Sequence, residues 1–216
     1  MLETIEQLIQ VHPDRTTFFS VIGRIFPRHS HEFHLIEFAY NTAKKEFRDK
    51  YRVRGERYFE HLRRVVLIIV LYLGVRDVNI IVGAILHDIM EDIPGWTQDR
   101  LAQRFNSDVA QLVFWVSEED LAYYNEDKRM RDFEFHCKLS EAPREAQILK
   151  LPDRLDNLMT LWAMDIESQK RKVDETYNVY LPLARRFSIL YREILAALQK
   201  VERSWNDSSN QQTIKF

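Results

Sequence analysis

The sequence predicts an all-α fold, and three observations carry that expectation. Only five glycines and six prolines punctuate 216 residues, so long stretches carry no turn signal. Apolar residues recur near helical spacing, as in Phe33, Ile36, Phe38, Ala39 and Ala43. Start and stop signals bracket the periodic segments, with Asp77 placed to cap one helix and Gly74 to end another.

Residues 2–11 read as a short helix before His12-Pro13, and 15–26 as a second that Pro27 ends. Residues 32–48 form a clearer amphipathic helix. A basic loop follows, YRVRGERY at 51–58, able to present Arg52, Arg54 and Arg57 to an anion. Residues 59–73 read as a strongly apolar helix stopped by Gly74. Residues 77–91 are apolar on nearly all sides, which suggests the core of the domain, and Pro94-Gly95 ends them. Thr97 opens the next helix, with Arg100 where a capping box has an acid, and 107–117 continue as another. The charge-rich 118–132 read either as a flexible loop or as a solvated helix. Residues 144–164 hold a helix with Pro152 inside it, a residue that removes one donor and can bend the axis. Residues 171–201 give one long helix or a pair, with Pro182 the expected kink. The organisation expected is an N-terminal helical extension at 1–31, one main domain at 32–203 and a polar, flexible tail at 204–216.

Composition narrows the function. Hydrophobic residues make up 45% and charged residues 30%, as in ordinary globular chains. The formal net charge of -2 gives no basic excess, so a general nucleic-acid binder is not expected. The lone Cys137 can form no intramolecular disulfide and builds no cysteine zinc site, which fits a reducing, cytoplasmic setting. The start, Met1-Leu2-Glu3, does not read as a signal peptide. The most apolar run, Val65 to Val75, is shorter than the ~20 residues that span a bilayer, so no membrane partner is expected.

The chemistry concentrates in AILHDIMED at 84–92. A divalent metal takes neutral imidazole and carboxylate ligands, and His87 and Asp88 offer one of each. Glu91 and Asp92 follow at i,i+4, which sets four ionisable groups on neighbouring stripes of an apolar helix. Burying such groups uncompensated is costly, and a metal or positive partners compensate it. A lone His-Asp pair is more often a surface cap or ion pair. Taken singly, His61 after RVRGERYFE and Asp153 in KLPDRLDN are equally ordinary. Their order is the specific feature: His, then His-Asp-x-x-Glu-Asp, then Asp-Arg-x-x-Asn.

That order resembles the HD superfamily of metal-dependent phosphohydrolases. It resembles more closely the hydrolase domain of the Rel/Spo enzymes and the small alarmone hydrolases. The matching pieces are RVRGERYFEH (52–61), AILHDIMED (84–92), LAQRFNSDVAQLV (101–113), ILKLPDRLDNLMTL (148–161) and ETYNVYLPLARRF (175–187). The resemblance implies an all-helical HD bundle. It implies His61, His87, Asp88 and Asp153 as four ligands of one ion, usually Mn²⁺, with other transition divalents as alternatives. Glu91 and Asp92 match the pair that orients or deprotonates the attacking water. Arg52 matches an arginine packed on the guanine base, and Asn157 and Thr160 match the lining of the nucleoside pocket. Tyr58 and Tyr180 sit at family positions, but each could equally pack the core.

The implied reaction removes the 3′-pyrophosphate of (p)ppGpp to give GDP or GTP. Arg54 or Arg57 could neutralise the diphosphates. Lys128, Arg129 and Arg131 could do so from the opposite rim, although a solvated surface is the better reading of those three. The sequence departs from the family pattern at Phe47, Val53, Arg57, Pro152 and Asp156, and these changes are expected to lie toward the nucleoside. Two alternatives follow: an HD phosphohydrolase for another nucleotide, such as a phosphorylated dinucleotide or a dNMP, and a silent nucleotide sensor. The chain reads as a stand-alone hydrolase. Leu190, Tyr191 and Trp205 serve either a homodimer surface or the core. The histidines of PRHSHEFH (His29, His31, His34) and the His136-Cys137 pair are poor metal candidates, because no carboxylate pattern completes them.

Overall fold

The computed structural model describes residues 1–12 and 14–213, apart from the side chains of 54 and 206–213. Helices dominate, in the order α1 (Leu2–Gln10), α2 (Arg15–Ile25), α3 (His31–Glu46), α4 (Tyr58–Leu67), α5 (Val78–Leu86), α6 (Ile89–Asp92), α7 (Gln98–Arg104), α8 (Ser107–Val116), α9 (Lys128–Glu141), α10 (Arg144–Met159), α11 (Ile166–Glu175), α12 (Leu181–Phe187) and α13 (Tyr191–Thr213). No strand occurs among the described residues. A single bridge, Tyr51 to Arg57, closes the basic loop, and Gly55 takes the left-handed φ of +83° that its turn requires.

Short polar side chains start the helices where the sequence placed them. Asp77 accepts from the N–H groups of Asn79 and Ile80, Thr97 from Arg100, and Asn106 from Val109. Each satisfies donors that the first helical turn leaves unpaired. Asp14 and Thr17 form a reciprocal capping box on α2.

The core centres on α5, whose residues from Ile80 to Leu86 are all buried. It packs against α3, α4, α8 and α10, as its apolarity on all sides predicts. Gly83 lets α10 come close: a methyl group there would lie 3.0 Å from Leu149 Cδ2.

Several boundaries differ from the expectation. The helix read as 77–91 is broken at His87–Asp88, where Asp88 takes φ -94° and ψ 0° before α6 begins. The helix read as 59–73 widens after Leu67 into a π turn at Ile68–Tyr72. The segment 118–132 is neither one loop nor one helix. It holds a 3₁₀ turn, Leu121–Tyr124, and the start of α9. The helix α10 runs through Pro152 and ends at Met159, before a 3₁₀ turn at Leu161–Ala163. The C-terminal helices divide at Ser188 and Leu190, both at positive φ, rather than at Pro182. Pro182 directly follows a π turn, Thr176–Tyr180, that joins α11 to α12. Where the tail was expected, helix continues to Thr213, and 214–216 lie outside the described residues. Leu190 is buried and the Trp205 indole N–H donates to Gln169, so these residues pack within the chain. No described helix is long and apolar enough to cross a membrane.

Candidate metal centre and adjoining cleft

The break after α5 turns Asp88 back beside His87. The second turn of α4 brings His61 to the same point, and the middle of α10 brings Asp153. His61 Nε2 lies 3.2 Å from Asp153 Oδ1 and 3.7 Å from Asp88 Oδ2. His87 Nε2 lies 3.2 Å from Asp88 Oδ2 and 3.6 Å from Asp153 Oδ1. All four side chains are buried. Ligand atoms about 2.1 Å from one ion, at angles between octahedral and tetrahedral, sit about 3.0–3.4 Å apart. The observed spacing is close to that.

The outer edges of both rings are engaged. His61 Nδ1 is 2.7 Å from Asp156 Oδ2, and His87 Nδ1 is 2.9 Å from the carbonyl of Ala84. An acceptor at Nδ1 fixes the proton there and turns Nε2 toward the cluster, the usual arrangement of a metal-ligating histidine. His87 Nε2 is buried with no hydrogen-bond partner of acceptable geometry. A buried orphan of this kind calls for an explanation, and a cation supplies one. The donor set of two imidazoles and two carboxylates suits a divalent ion, so His61, His87 and Asp88 form a group that could hold one.

Protons and cations balance this charge without a metal. Burial opposes protonation of His61, but its hydrogen bonds to Asp153 and Asp156 outweigh this and raise its pKa above the usual value. Burial likewise opposes protonation of His87, yet Asp88 and Asp153 hold its pKa well above 6.5. Burial disfavours the Asp153 carboxylate, but Lys150, with Nζ 3.2 Å away, and then the two histidines keep its pKa well below the carboxylate range. Asp88, desolvated but paired with His87, is lowered to about 2.

Glu91 and Asp92 flank the cluster. The Glu91 carboxylate accepts the N–H of Glu118 at 2.8 Å and lines an acidic recess with Glu118 and Asp120. The residue as a whole is exposed, yet its carboxyl group is crowded. That crowding, with the Asp88 and Glu118 charges and against Lys150, raises its pKa to about 8. A divalent ion beside Asp88 would act in the opposite direction. Asp92 pairs with Lys50, 3.0 Å away.

An adjoining cleft of about 300 Å³ is lined by Arg52, Val53, Tyr58, Asn157, Thr160 and Lys172, among others. Arg52 donates to Asp156 at 3.1 Å and to Asn157 at 2.6 Å. Asn157 in turn donates to Asp153 Oδ1 at 2.6 Å, so one side chain ties the cleft to the cluster. The Thr160 hydroxyl donates to the carbonyl of Asp156. The Arg54 side chain lies outside the described residues. Arg57, Lys128 and Arg129 are exposed at helix starts, and Arg131 pairs with Glu118. Those contacts suit a solvated rim.

The structure corrects the reading of Asp156. It was expected to face the nucleoside, and it lies instead, fully buried, beneath His61. Three further residues went unnoticed in the sequence. Arg64 bonds Asp156 and Glu56, Lys150 pairs with Asp153, and Lys50 pairs with Asp92. The spacing held a signal, since Arg64 follows His61 and Asp156 follows Asp153 by one helical turn. Tyr58 does more than pack: its hydroxyl donates to Asp88 Oδ2 at 2.8 Å while its ring stacks on Phe47. Tyr180 is a core residue, with the Arg154 guanidinium 3.7 Å above its ring. His29, His31 and His34 join no group suited to a metal among the described residues.

A buried His-His-Asp group at the meeting of three helices is one that could hold a metal ion. The HD domain family model matches residues 39–190, and the chain belongs to that family. It is 35% identical over 164 residues to a guanosine-3′,5′-bis(diphosphate) 3′-pyrophosphohydrolase of Aquifex aeolicus, covering 76% of this chain and 23% of that protein. It is 31% identical over 153 residues to the bifunctional (p)ppGpp synthase/hydrolase SpoT of Escherichia coli K12, covering 70% of this chain and 21% of that one. The chain thus spans less than a quarter of these relatives. A solved structure described as a metazoan ortholog of SpoT that hydrolyzes ppGpp shares the fold, with a TM-score of 0.70 and 20% identity. That match covers 81% of this chain and 97% of the other.

Proposed function

We propose that this chain is a metal-dependent hydrolase that removes the 3′-pyrophosphate of (p)ppGpp, giving GDP or GTP, in the cytoplasm. The observation that carries the proposal is the convergence of His61, His87, Asp88 and Asp153 beside a cleft lined by Arg52, Asn157 and Thr160. The names of the relatives agree with it. His61, His87, Asp88 and Asp153 hold the ion, and Mn²⁺ is the ion proposed. When bound, such an ion lowers the pKa of its water and neutralises charge on phosphoryl oxygens. Glu91 and Asp92 hold the attacking water and take its proton. The hydrogen bonds of Arg52 to Asp156 and Asn157 use the edge of its guanidinium, and in this reading its face stacks on the base. Asn157 and Thr160 border the nucleoside.

The test is release of pyrophosphate from ppGpp with Mn²⁺, Mg²⁺, Ni²⁺ or Co²⁺. We expect turnover that depends on the metal and is lost in Asp88→Ala. Retained turnover in that variant overturns the ligand assignment. The exposed Val53 in the cleft wall, where the family pattern has lysine, favours a second reading: a different phosphorylated nucleotide. Activity on NADPH or a dNMP but not on ppGpp selects that reading. Tight nucleotide binding without turnover in any metal selects a sensor.

A further inference from the structure

We infer that Asp156 is a positioning residue: one carboxylate that both fixes His61 toward the metal and clamps Arg52 in the nucleoside cleft. The inference rests on the metal centre proposed above.

Asp156 has no exposed surface. A carboxylate buried this completely needs strong partners. It has three, and each leads to a different place. Oδ2 lies 2.7 Å from His61 Nδ1. The same oxygen accepts from Arg52 Nη1 at 3.1 Å, at the floor of the cleft. Arg64 reaches both oxygens, with Nε 2.6 Å from Oδ1 and Nη2 3.0 Å from Oδ2. Arg64 is held in turn by Glu56 of the basic loop. The carboxylate therefore has little freedom to turn.

The grip on His61 comes from a single turn of α10. Asp153 faces Nε2 of the ring at 3.2 Å, and Asp156, three residues on, faces Nδ1 at 2.7 Å. A histidine that ligates a metal commonly donates its other ring N–H to a carboxylate, which sets the tautomer and the ring plane. His87 uses a backbone carbonyl for that purpose. His61 uses a side chain, and that side chain also holds an arginine of the substrate cleft. Removing the Asp156 charge should therefore weaken metal binding and loosen Arg52 together. Removing Arg52 leaves the contact of Asp156 with His61 in place and should disturb the cleft far more than the metal.

The test uses the full chain stripped with EDTA, with Mn²⁺ as the probe in calorimetry. Asp156→Asn keeps the shape and removes the charge. It is expected to bind Mn²⁺ about 10–100-fold more weakly and to raise KM for ppGpp. Arg52→Ala is expected to raise KM with Mn²⁺ affinity within about twofold of the wild type. If Asp156→Asn loses thermal stability but binds Mn²⁺ like the wild type, the residue is merely structural and the inference falls. A measurement on the unmutated protein guards against a variant that does not fold. Long-range ¹H–¹⁵N spectra of the Zn²⁺-loaded chain should show His61 protonated at Nδ1 and ligated at Nε2. The reverse assignment overturns the inference. A wild-type chain that binds no divalent ion overturns the metal centre itself, a result distinct from either.

Discussion

Replacing Tyr58 with phenylalanine isolates one hydrogen bond of the proposed metal centre. The Tyr58 hydroxyl donates to Asp88 Oδ2 at 2.8 Å. The ring stacks on Phe47 at 5.0 Å and 12°, and meets His61 edge-on at 5.9 Å. Phenylalanine preserves both ring contacts, so the variant loses only the donor. A hydrogen bond to a charged acceptor is worth about 1.5–3 kcal/mol. Loss of an outer partner of a metal ligand costs about 10–100-fold in affinity, or about 1.4–2.7 kcal/mol. The two ranges agree, and we expect Tyr58→Phe to weaken Mn²⁺ binding by that factor. The assay is calorimetry of Mn²⁺ into EDTA-stripped protein, with the melting temperature of the metal-free form as control. That temperature should fall by about 3–12 °C, since about 1 kcal/mol is 2–4 °C for a domain of this size. A variant that melts lower yet binds Mn²⁺ within about twofold of wild type would refute the reasoning, and Tyr58 would be only a packing residue.

Two further outcomes follow from the structure. Without metal, His61 and His87 have pKa values raised above the usual 6.5. Their contribution to stability is full below about pH 6.5 and is lost as the pH rises through the raised values. Glu91, raised to about 8, acts in the same direction. Metal binding instead requires neutral rings, so its affinity grows over the same window. The melting-temperature gap between Mn²⁺-loaded and metal-free protein should widen from pH 6 to pH 9, and a constant gap contradicts the charge assignment. Asp77→Ala removes the acceptor for two N–H groups at the start of α5, at a cost of about 1 kcal/mol. Thermal melting should fall by about 2–4 °C with Mn²⁺ affinity unchanged; an unchanged melting temperature removes the cap from the account.

How much of this was legible in the sequence depended on range. The caps at Asp77 and Thr97 were readable because each acts within three residues of itself. The all-round apolarity of 80–86 announced a central helix. The break at His87–Asp88 was not readable, since the apolar pattern runs on through Ile89 and no glycine or proline marks the stop. The order of His61, His87, Asp88 and Asp153 was legible as a motif. Their convergence required α4, α5 and α10 to pack. Asp156 was misread for the same reason: its direction is set by how α10 lies on α4, and a residue three positions from a ligand gives only a hint. Arg52 and Asn157, expected on the substrate side, are bonded to each other and, through Asp153, to the His-Asp cluster, a link that no spacing in the sequence announces.

The residues of the cluster come from parts of the chain that the sequence holds far apart, with His61 and Asp156 separated by 95 positions. An unfolded chain does not assemble such a site, so an ion held there favours the folded state. At a hundredfold excess over its Kd, an ion would add about 2.7 kcal/mol to the free energy of unfolding. The metal would then work as a removable cross-link that fastens α10 to α4 and to the end of α5. Amide protons of α10 should exchange more slowly when it is present, and chelation should speed their exchange.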